Sequence, residues 1–184
     1  WRDGTIEPIV ETGDAVPGGA VFAVYGLFGA SCMAEDGRIA VVADGSDYGQ
    51  GVICRDARGT HLIARHHKPA PGGGSFVNFF ECTFADGPRL FFMATTENSV
   101  AGLYSATPDG LERAIGTGDA IAGGRAVTNI DFASPFAASS DGTVVLQRKN
   151  SDQLLRRGTD GVLERVVLHP ADGGLVLHID SFGV

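Results

Sequence analysis

The sequence predicts an all-β, β-propeller-like fold, built of four-stranded antiparallel blades that repeat about every 51 residues. Three observations predict it: 27 glycines in 184 residues, turn motifs that recur in one order, and β-rich runs between those turns. No segment has sustained 3.6-residue apolar spacing with helix caps, so we predict no long helix. A β-sandwich would not require a strict period, and the propeller is therefore favoured.

Three turn markers recur along the chain in the same order. Tight-turn glycines separated by 55, 51 and 51 residues are Gly4, Gly59, Gly110 and Gly161. Asp-Gly glycines separated by 50 and 55 residues are Gly37, Gly87 and Gly142. Paired glycines follow at Gly18-Gly19, Gly72-Gly73, Gly123-Gly124 and Gly173-Gly174. The markers divide a single repeat domain, 1–184, into units of about 4–58, 59–109 and 110–160 and an incomplete unit, 161–184.

Each complete unit holds four predicted strands. Asp-Gly between β-rich runs indicates a hairpin, since both central residues of a type I′ turn need a positive φ. The predicted strands are 5–12, 22–33, 38–43, 51–56, 60–66, 76–85, 89–95, 101–106, 111–116, 127–139, 143–149, 152–157, 162–168 and 175–182. Crowded phenylalanines in the second unit, from Phe76 to Phe92, alternate along their strands and predict filling between blades rather than exposed sugar platforms.

Fourteen strands make about three and a half blades, whereas most propellers have four to eight. The chain opens on a short strand stub and stops within its fourth unit. We expect the ring to be completed by a missing segment of the same propeller or by a second copy, or to remain an open arc whose edges pair with other chains. Exposed strand edges promote pairing, so each alternative predicts association.

Composition excludes several classes of function. A formal net charge of −8 argues against a nucleic-acid partner, and no apolar run is long enough for membrane insertion. The three cysteines, Cys32, Cys54 and Cys82, have no zinc-type spacing. They are interpreted as small buried apolar residues, and one bridge, such as Cys32 to Cys54, stays open as an alternative.

The loops of pattern GlyAsp-x-x-x-GlyGly carry the candidate ligand-binding residues. Asp14 and Asp119 occupy equivalent positions in them, and Lys68 and His169 occupy roughly those positions in the other two units. Equivalent loops of a propeller lie on one face, where carboxylates could bind Ca²⁺. The competing interpretation is an Asx turn, in which the carboxylate caps backbone N–H groups. Lys68 makes a symmetric metal ring less favourable.

Other candidate sites are weaker. His66 and His67, with His169 in another unit, could supply imidazoles for a metal ion, but adjacent residues on a strand point to opposite faces and would not share one ion. Solvent-facing loop histidines are the favoured interpretation. No serine elbow, Cys-His pair or spaced carboxylate pair is evident, and we predict no catalytic residue. No cofactor other than Ca²⁺ is implied.

The units resemble bacterial secreted tandem-repeat β-propeller proteins of the choice-of-anchor repeat type. The resemblance rests on Asn98 with Gly102-Leu103-Tyr104, the GlyAsp-x-x-x-GlyGly loops and the Asp-Gly hairpins. It implies an extracellular or cell-surface location and carries over no catalytic set. We therefore expect a non-enzymatic structural or interaction module. The alternative is a secreted propeller that binds or processes glycans through the GlyAsp-x-x-x-GlyGly loops.

Overall fold

The computed structural model of the chain describes residues 11–15, 21–23, 30–46, 49–85, 87, 89–98, 100–130, 135–139, 141–147 and 154–166. Within these residues it contains fifteen strands and no helix. The strands are β1 (Phe22–Ala23), β2 (Ser31–Met33), β3 (Ile39–Gly45), β4 (Gly49–Asp56), β5 (Gly59–Arg65), β6 (Phe76–Phe84), β7 (Leu90–Thr96), β8 (Ala101–Thr107), β9 (Gly110–Gly116), β10 (Ala120–Ile121), β11 (Arg125–Ala126), β12 (Phe136–Ala138), β13 (Val144–Gln147), β14 (Leu154–Arg157) and β15 (Leu163–Val166).

The strands form three blade-like antiparallel sheets and one small hairpin. Sheet 1 contains β1 to β5; β1 and β2 pair with opposite ends of β3 on the same side, so together they occupy one strand position. Sheet 2 is β6-β7-β8-β9, sheet 3 is β12-β13-β14-β15, and β10 pairs with β11. The predicted all-β fold of four-stranded antiparallel blades is confirmed.

The strand pairing also gives the phase of the repeat. The second strand position of each sheet begins at Ile39, Leu90 and Val144, close to the predicted spacing. Sheet 1 spans residues 22–65, sheet 2 spans 76–116 and sheet 3 spans 136–166. Most of predicted strand 5–12, the whole of 175–182 and the unit beyond residue 166 lie outside the described residues.

Two predicted strands differ from those observed. Predicted strand 22–33 is two short strands, with residues 24–29 between them outside the described residues. Of the described residues of predicted strand 127–139, which are 127–130 and 135–139, only Phe136–Ala138 form a strand. Val127 instead donates its amide to the Asp119 carbonyl at 2.9 Å and buries its side chain. The apolar pattern assigned the backbone of Val127 to a sheet, but its amide is used to close the preceding loop.

The Asp36-Gly37 turn closes a hairpin, but not one of the predicted type I′. At Ala34 to Arg38 the Gly37 amide donates to the Ala34 carbonyl at 2.9 Å, and the Ala34 amide donates to the Arg38 carbonyl at 2.8 Å. Only the glycine has a positive φ, 85° at Gly37, which is the pattern of a type I turn followed by a glycine bulge. The Asp36 carboxylate accepts the Arg38 amide at 3.1 Å. Aspartate therefore serves here as an Asx cap and does not itself need a positive φ.

Sheet 2 buries both of its faces. Side chains alternate along a strand, so Phe91 and Met93 of β7 pack toward sheet 3, whereas Phe92 and Ala94 pack toward sheet 1. The sheet 1–sheet 2 contact is rich in aromatic rings: Phe76, Phe79, Phe92 and Tyr104. The sheet 2–sheet 3 contact is mainly aliphatic: Met93, Leu103, Ile115, Val144, Leu146 and Leu155. The prediction that phenylalanines fill the space between blades is confirmed.

Gly102 has a structural role within the Gly102-Leu103-Tyr104 motif. A Cβ at Gly102 would lie 3.2 Å from the Ile115 carbonyl oxygen and 3.2 Å from the Tyr104 ring. The ring of Tyr104 is stacked on Phe92 with centroids 5.7 Å apart. The small residue at position 102 therefore lets the tyrosine lie across its own strand and enter the aromatic contact.

Candidate functional site

The ends of the two GlyAsp-x-x-x-GlyGly loops, and of the corresponding loop at Lys68, have the same backbone pairing. Antiparallel bridges close them at Ala15 and Val21, at Pro69 and Ser75, and at Ala120 and Ala126. In each, the residue before the first bridge position donates its amide to a carbonyl three residues earlier: Asp14 to Glu11, Lys68 to Arg65 and Asp119 to Gly116. Positions 14, 68 and 119 are therefore structurally equivalent, as the sequence spacing predicts.

The carboxylates of Asp14 and Asp119 cap the same turn. An oxygen of Asp14 accepts the Glu11 amide at 2.8 Å, and Oδ2 of Asp119 accepts the Gly116 amide at 2.7 Å. The other oxygen of Asp119, Oδ1, accepts Nη2 of Arg113 at 2.5 Å. Capping of a backbone N–H by the carboxylate, as the competing interpretation predicts, is therefore found in both loops, but the amide lies three residues before the aspartate and not two residues after it as in an Asx turn. Ca²⁺ binding by these carboxylates stays a prediction.

Arg113 connects two of the loops. Its side chain is a quarter exposed and pairs with Asp119 in the loop that follows sheet 2. A Cβ at Gly116 would lie 2.6 Å from Nε of Arg113, and a Cβ at Gly72, in the loop between sheets 1 and 2, would lie 2.7 Å from Nη1. Glycine at these two positions makes room for the guanidinium, which lies between the loops.

The remaining histidine and metal predictions have mixed outcomes. His169 lies outside the described residues. His66 and His67 lie in the turn after β5, which ends at Arg65, as the interpretation of loop histidines predicts. The argument that their side chains point to opposite faces of a strand is wrong, because the two rings are stacked with centroids 3.8 Å apart. His67 has a positive φ of 61°, which turns its side chain back toward that of its neighbour. Among the residues that the structure describes, no three His, Cys, Asp or Glu side chains form a metal-binding cluster.

A cleft of about 600 Å³ opens at the opposite end of sheets 1 and 2, between their turns. Arg38 spans it: Nε pairs with both Asp36 oxygens at 3.0 and 2.8 Å, and Nη2 donates to the Gly87 carbonyl of sheet 2's first turn. The guanidinium carbon lies 4.9 Å from the centroid of the Phe84 ring. Arg38 therefore fastens sheet 1 to sheet 2 at this end.

Asp56 and His61 form a second polar pair in the cleft. His61 Nε2 lies 3.0 Å from Asp56 Oδ1, which also accepts the Arg58 amide at 2.7 Å. The hydrogen bond with His61 is the main reason that the pKa of Asp56 is lowered, and the Arg58 amide adds to it. The lowered pKa means that this pair stabilises the fold at neutral pH and loses that contribution as the pH falls through the folded-state pKa of Asp56.

Two cysteines meet between sheets 1 and 2. Sγ of Cys32 on β2 lies 3.2 Å from Sγ of Cys82 on β6, and both side chains are half-buried. Sequence reasoning missed this pair, although both cysteines stand five residues before an Asp-Gly glycine. Cys32 on β2 and Cys54 on β4 are both paired with Ala40 of β3, from opposite edges of that strand. They lie two strand spacings apart, about 10 Å, which is too far for the Cys32–Cys54 bridge considered from the sequence.

Comparisons with models of known protein families, with curated proteins and with solved structures find no match. Within the described part of the chain, no helix has the length and apolar character needed to cross a membrane. The arguments for function therefore rest on the contacts of this chain alone.

Proposed function

We propose that the chain is a non-enzymatic β-propeller module, working outside the cytoplasm, that associates with further blades from a second copy or from another segment of the same propeller. The observation that carries this proposal is the alternation in sheet 2, where successive residues of β7 pack against sheets on both sides. A blade with two packed faces is the repeating element of a stacked architecture. The outer faces of sheets 1 and 3 are the places where such stacking would continue.

Sheet 3 offers a face that suits another polypeptide. Val144 and Leu146 pack toward sheet 2, so Val145 and Gln147 lie on the opposite face of β13. By register these two correspond to Phe91 and Met93, which sheet 2 buries against sheet 3. A face with half-buried Val145 and exposed Gln147 is more polar than the contact that sheet 2 makes, as interfaces between separate chains are.

Sheet 1 resembles sheet 3 in this respect. Ala40 and Val42 of β3 pack toward sheet 2, so Ile39 and Val41 lie on the other face, where both are half-buried. Each end sheet therefore combines one face packed on sheet 2 with one of intermediate exposure.

The solution mass of the purified chain tests the proposal. Light scattering is expected to give at least twice 19.1 kDa, and the mass should fall in Val145→Arg because a buried charge at the interface is costly. Val162→Arg is the matched control, since Val162 is 48% exposed and directly precedes β15. Circular dichroism verifies that both variants keep the wild-type β signal. A concentration-independent mass of 19.1 kDa for the wild type would contradict the proposal, and an unchanged assembly in Val145→Arg would exclude this face.

Glycan binding is the second candidate function, and the cleft between sheets 1 and 2 favours it. Its polar residues depart from the repeat: Cys54, Asp56 and His61 stand where sheet 2 has Ser105, Thr107 and Glu112. A concave site with a few convergent polar groups beside apolar walls is typical of ligand pockets.

A glycan array separates the two places where sugars would bind. Loss of signal in Asp56→Asn but not in Asp119→Asn supports the cleft. The reverse result supports the GlyAsp-x-x-x-GlyGly loops. Absence of binding to any glycan in the wild-type chain would rule this second candidate out.

A further inference from the structure

We propose that Cys32 and Cys82 are a disulfide-forming pair that covalently joins sheet 1 to sheet 2. The two sulfur atoms are 3.2 Å apart, whereas the cysteines are separated by 50 positions in the sequence. A disulfide bond is about 2.0 Å long, so its formation needs a movement of only about 1 Å. The bond would cross the packed contact between the two sheets and would not merely close a local turn.

The surroundings of the pair favour a defined geometry. Cys82 Sγ lies 3.8 Å from the carbonyl oxygens of Ala30 and Ala40, both in or beside sheet 1. Cys32 is held on β2 by backbone pairing with β3, opposite Ala40. The strands that carry the thiols are therefore placed by their own sheets, and the sheets are placed by the aromatic contact behind them.

The pKa values of the two thiols are shifted in opposite directions. The hydrogen bond with Cys82 lowers the pKa of Cys32, and the same hydrogen bond raises the pKa of Cys82. The thiolate is the attacking species in thiol–disulfide exchange. Both side chains are half-buried, so exposure does not separate them, and the lowered pKa of Cys32 is the reason for taking Cys32 as the attacking group and Cys82 as the resolving one.

The reaction balances with a low-molecular-weight disulfide as the oxidant. The Cys32 thiolate attacks one sulfur of the external disulfide, forms a mixed disulfide and releases one external thiolate. Cys82 then loses its proton and attacks the Cys32 sulfur, which forms the Cys32–Cys82 bond and releases the second external thiolate. The two cysteines lose two protons and two electrons in total, and the external disulfide is reduced to two thiols.

This inference stands on contacts that do not depend on the proposed association of blades. It has a bearing on location, because structural disulfides persist in oxidising compartments outside the cytoplasm. It also predicts a change in stability, since the bond closes a long loop and restricts the unfolded chain. An increase in the thermal unfolding midpoint on the order of 10 °C is expected for a loop of this size.

The experiment compares the native chain treated with oxidised glutathione against the chain treated with dithiothreitol. Trypsin cleaves after Arg38, Arg55, Arg65 and Arg89, so the three cysteines fall on separate peptides. We expect a linked pair of peptides containing Cys32 and Cys82, an intact mass lower by two hydrogen atoms, and a higher unfolding midpoint that dithiothreitol reverses. A link involving Cys54, a cross-link between chains or glutathione attached to both thiols without a link would overturn the proposal.

Single variants test the order of the two steps. Cys82→Ser should accumulate the mixed disulfide of Cys32 with glutathione, whereas Cys32→Ser should react more slowly and form no internal link. Cys54→Ser is the matched control and should keep both the link and the gain in midpoint. Equal rates of glutathione attachment in Cys82→Ser and Cys32→Ser would refute the assignment of Cys32 as the attacking group. The peptide map of the wild-type chain decides the pairing even if a variant folds poorly.

Discussion

The contact between sheets 1 and 2 and the contact between sheets 2 and 3 use opposite faces of the same strands, yet they differ in content. The first gathers aromatic rings, the Cys32–Cys82 pair and the polar cleft. The second is packed with aliphatic side chains and is joined by Arg157, which donates to the carbonyls of Arg113 and Ala114. The repeat therefore determines how the strands pair, whereas the side chains on those strands determine whether a contact between sheets is aromatic and polar or aliphatic.

Adjacent phenylalanines on β7 offer the most direct way to test this difference. Phe91 and Phe92 are both fully buried, but Phe91 faces sheet 3 and Phe92 faces sheet 1. Each Phe→Ala variant should lower the free energy of unfolding by about 3–5 kcal/mol. Phe92→Ala should cost about 1 kcal/mol more, because its ring also meets Phe76, Phe79 and Tyr104 within 6.1 Å. Urea denaturation of the two variants measures the difference.

Leucine variants at the same two positions provide the control. Phe→Leu removes the ring but keeps much of the side-chain volume, so the part of the loss in unfolding free energy that comes from a cavity should shrink. The larger loss at position 92 than at position 91 should persist, because it comes from the lost ring contacts. Equal losses at positions 91 and 92 in both series would contradict the view that the first contact gains specifically from its aromatic packing.

The sequence predicted the positions of the strands and hairpins on both sides of sheet 2 better than it predicted the side-chain contacts between the sheets. A glycine in a tight turn is required by the positive φ at that position, which is a local property of the backbone. The spacing of Gly37, Gly87 and Gly142 was therefore enough to place the hairpins. The turn type was wrong because aspartate has two ways to serve a tight turn, and its carboxylate caps an amide here without a positive φ. The β10–β11 hairpin was missed because two-residue strands leave no alternation to read.

The Cys32–Cys82 pair could not be derived from strand patterns for a different reason. Alternation tells which face of a sheet a residue occupies, but it does not tell which residue of the next sheet meets it. By strand pairing, Cys32 lies opposite Ala40 and Cys82 lies opposite Phe92, so the two are one register step apart in their own blades. The irregular pairing of β6 between Phe79 and Cys82 precedes this position, and such an irregularity has no sequence signature here.

The loops allow a finer comparison, because Asp14 and Asp119 occupy equivalent positions with different partners. Asp14 is exposed and accepts one backbone amide, whereas Asp119 accepts the Gly116 amide and also binds Arg113. Asp119→Asn keeps the size but removes the charge, and it should lower the free energy of unfolding by about 1–2 kcal/mol. Asp14→Asn should change it by less than about 0.5 kcal/mol, because water replaces an exposed hydrogen bond at little cost.

A double-mutant cycle with Arg113→Met isolates the ion pair from the amide cap. If Arg113 holds the loops before and after sheet 2 together through Asp119, the cost of Asp119→Asn should fall to that of Asp14→Asn when the guanidinium is absent. Undiminished cost in the Arg113→Met background would assign the effect to the Gly116 amide alone. In that case the two contacts of sheet 2 would be independent at this end, and the coupling between them would have to come from the shared strands.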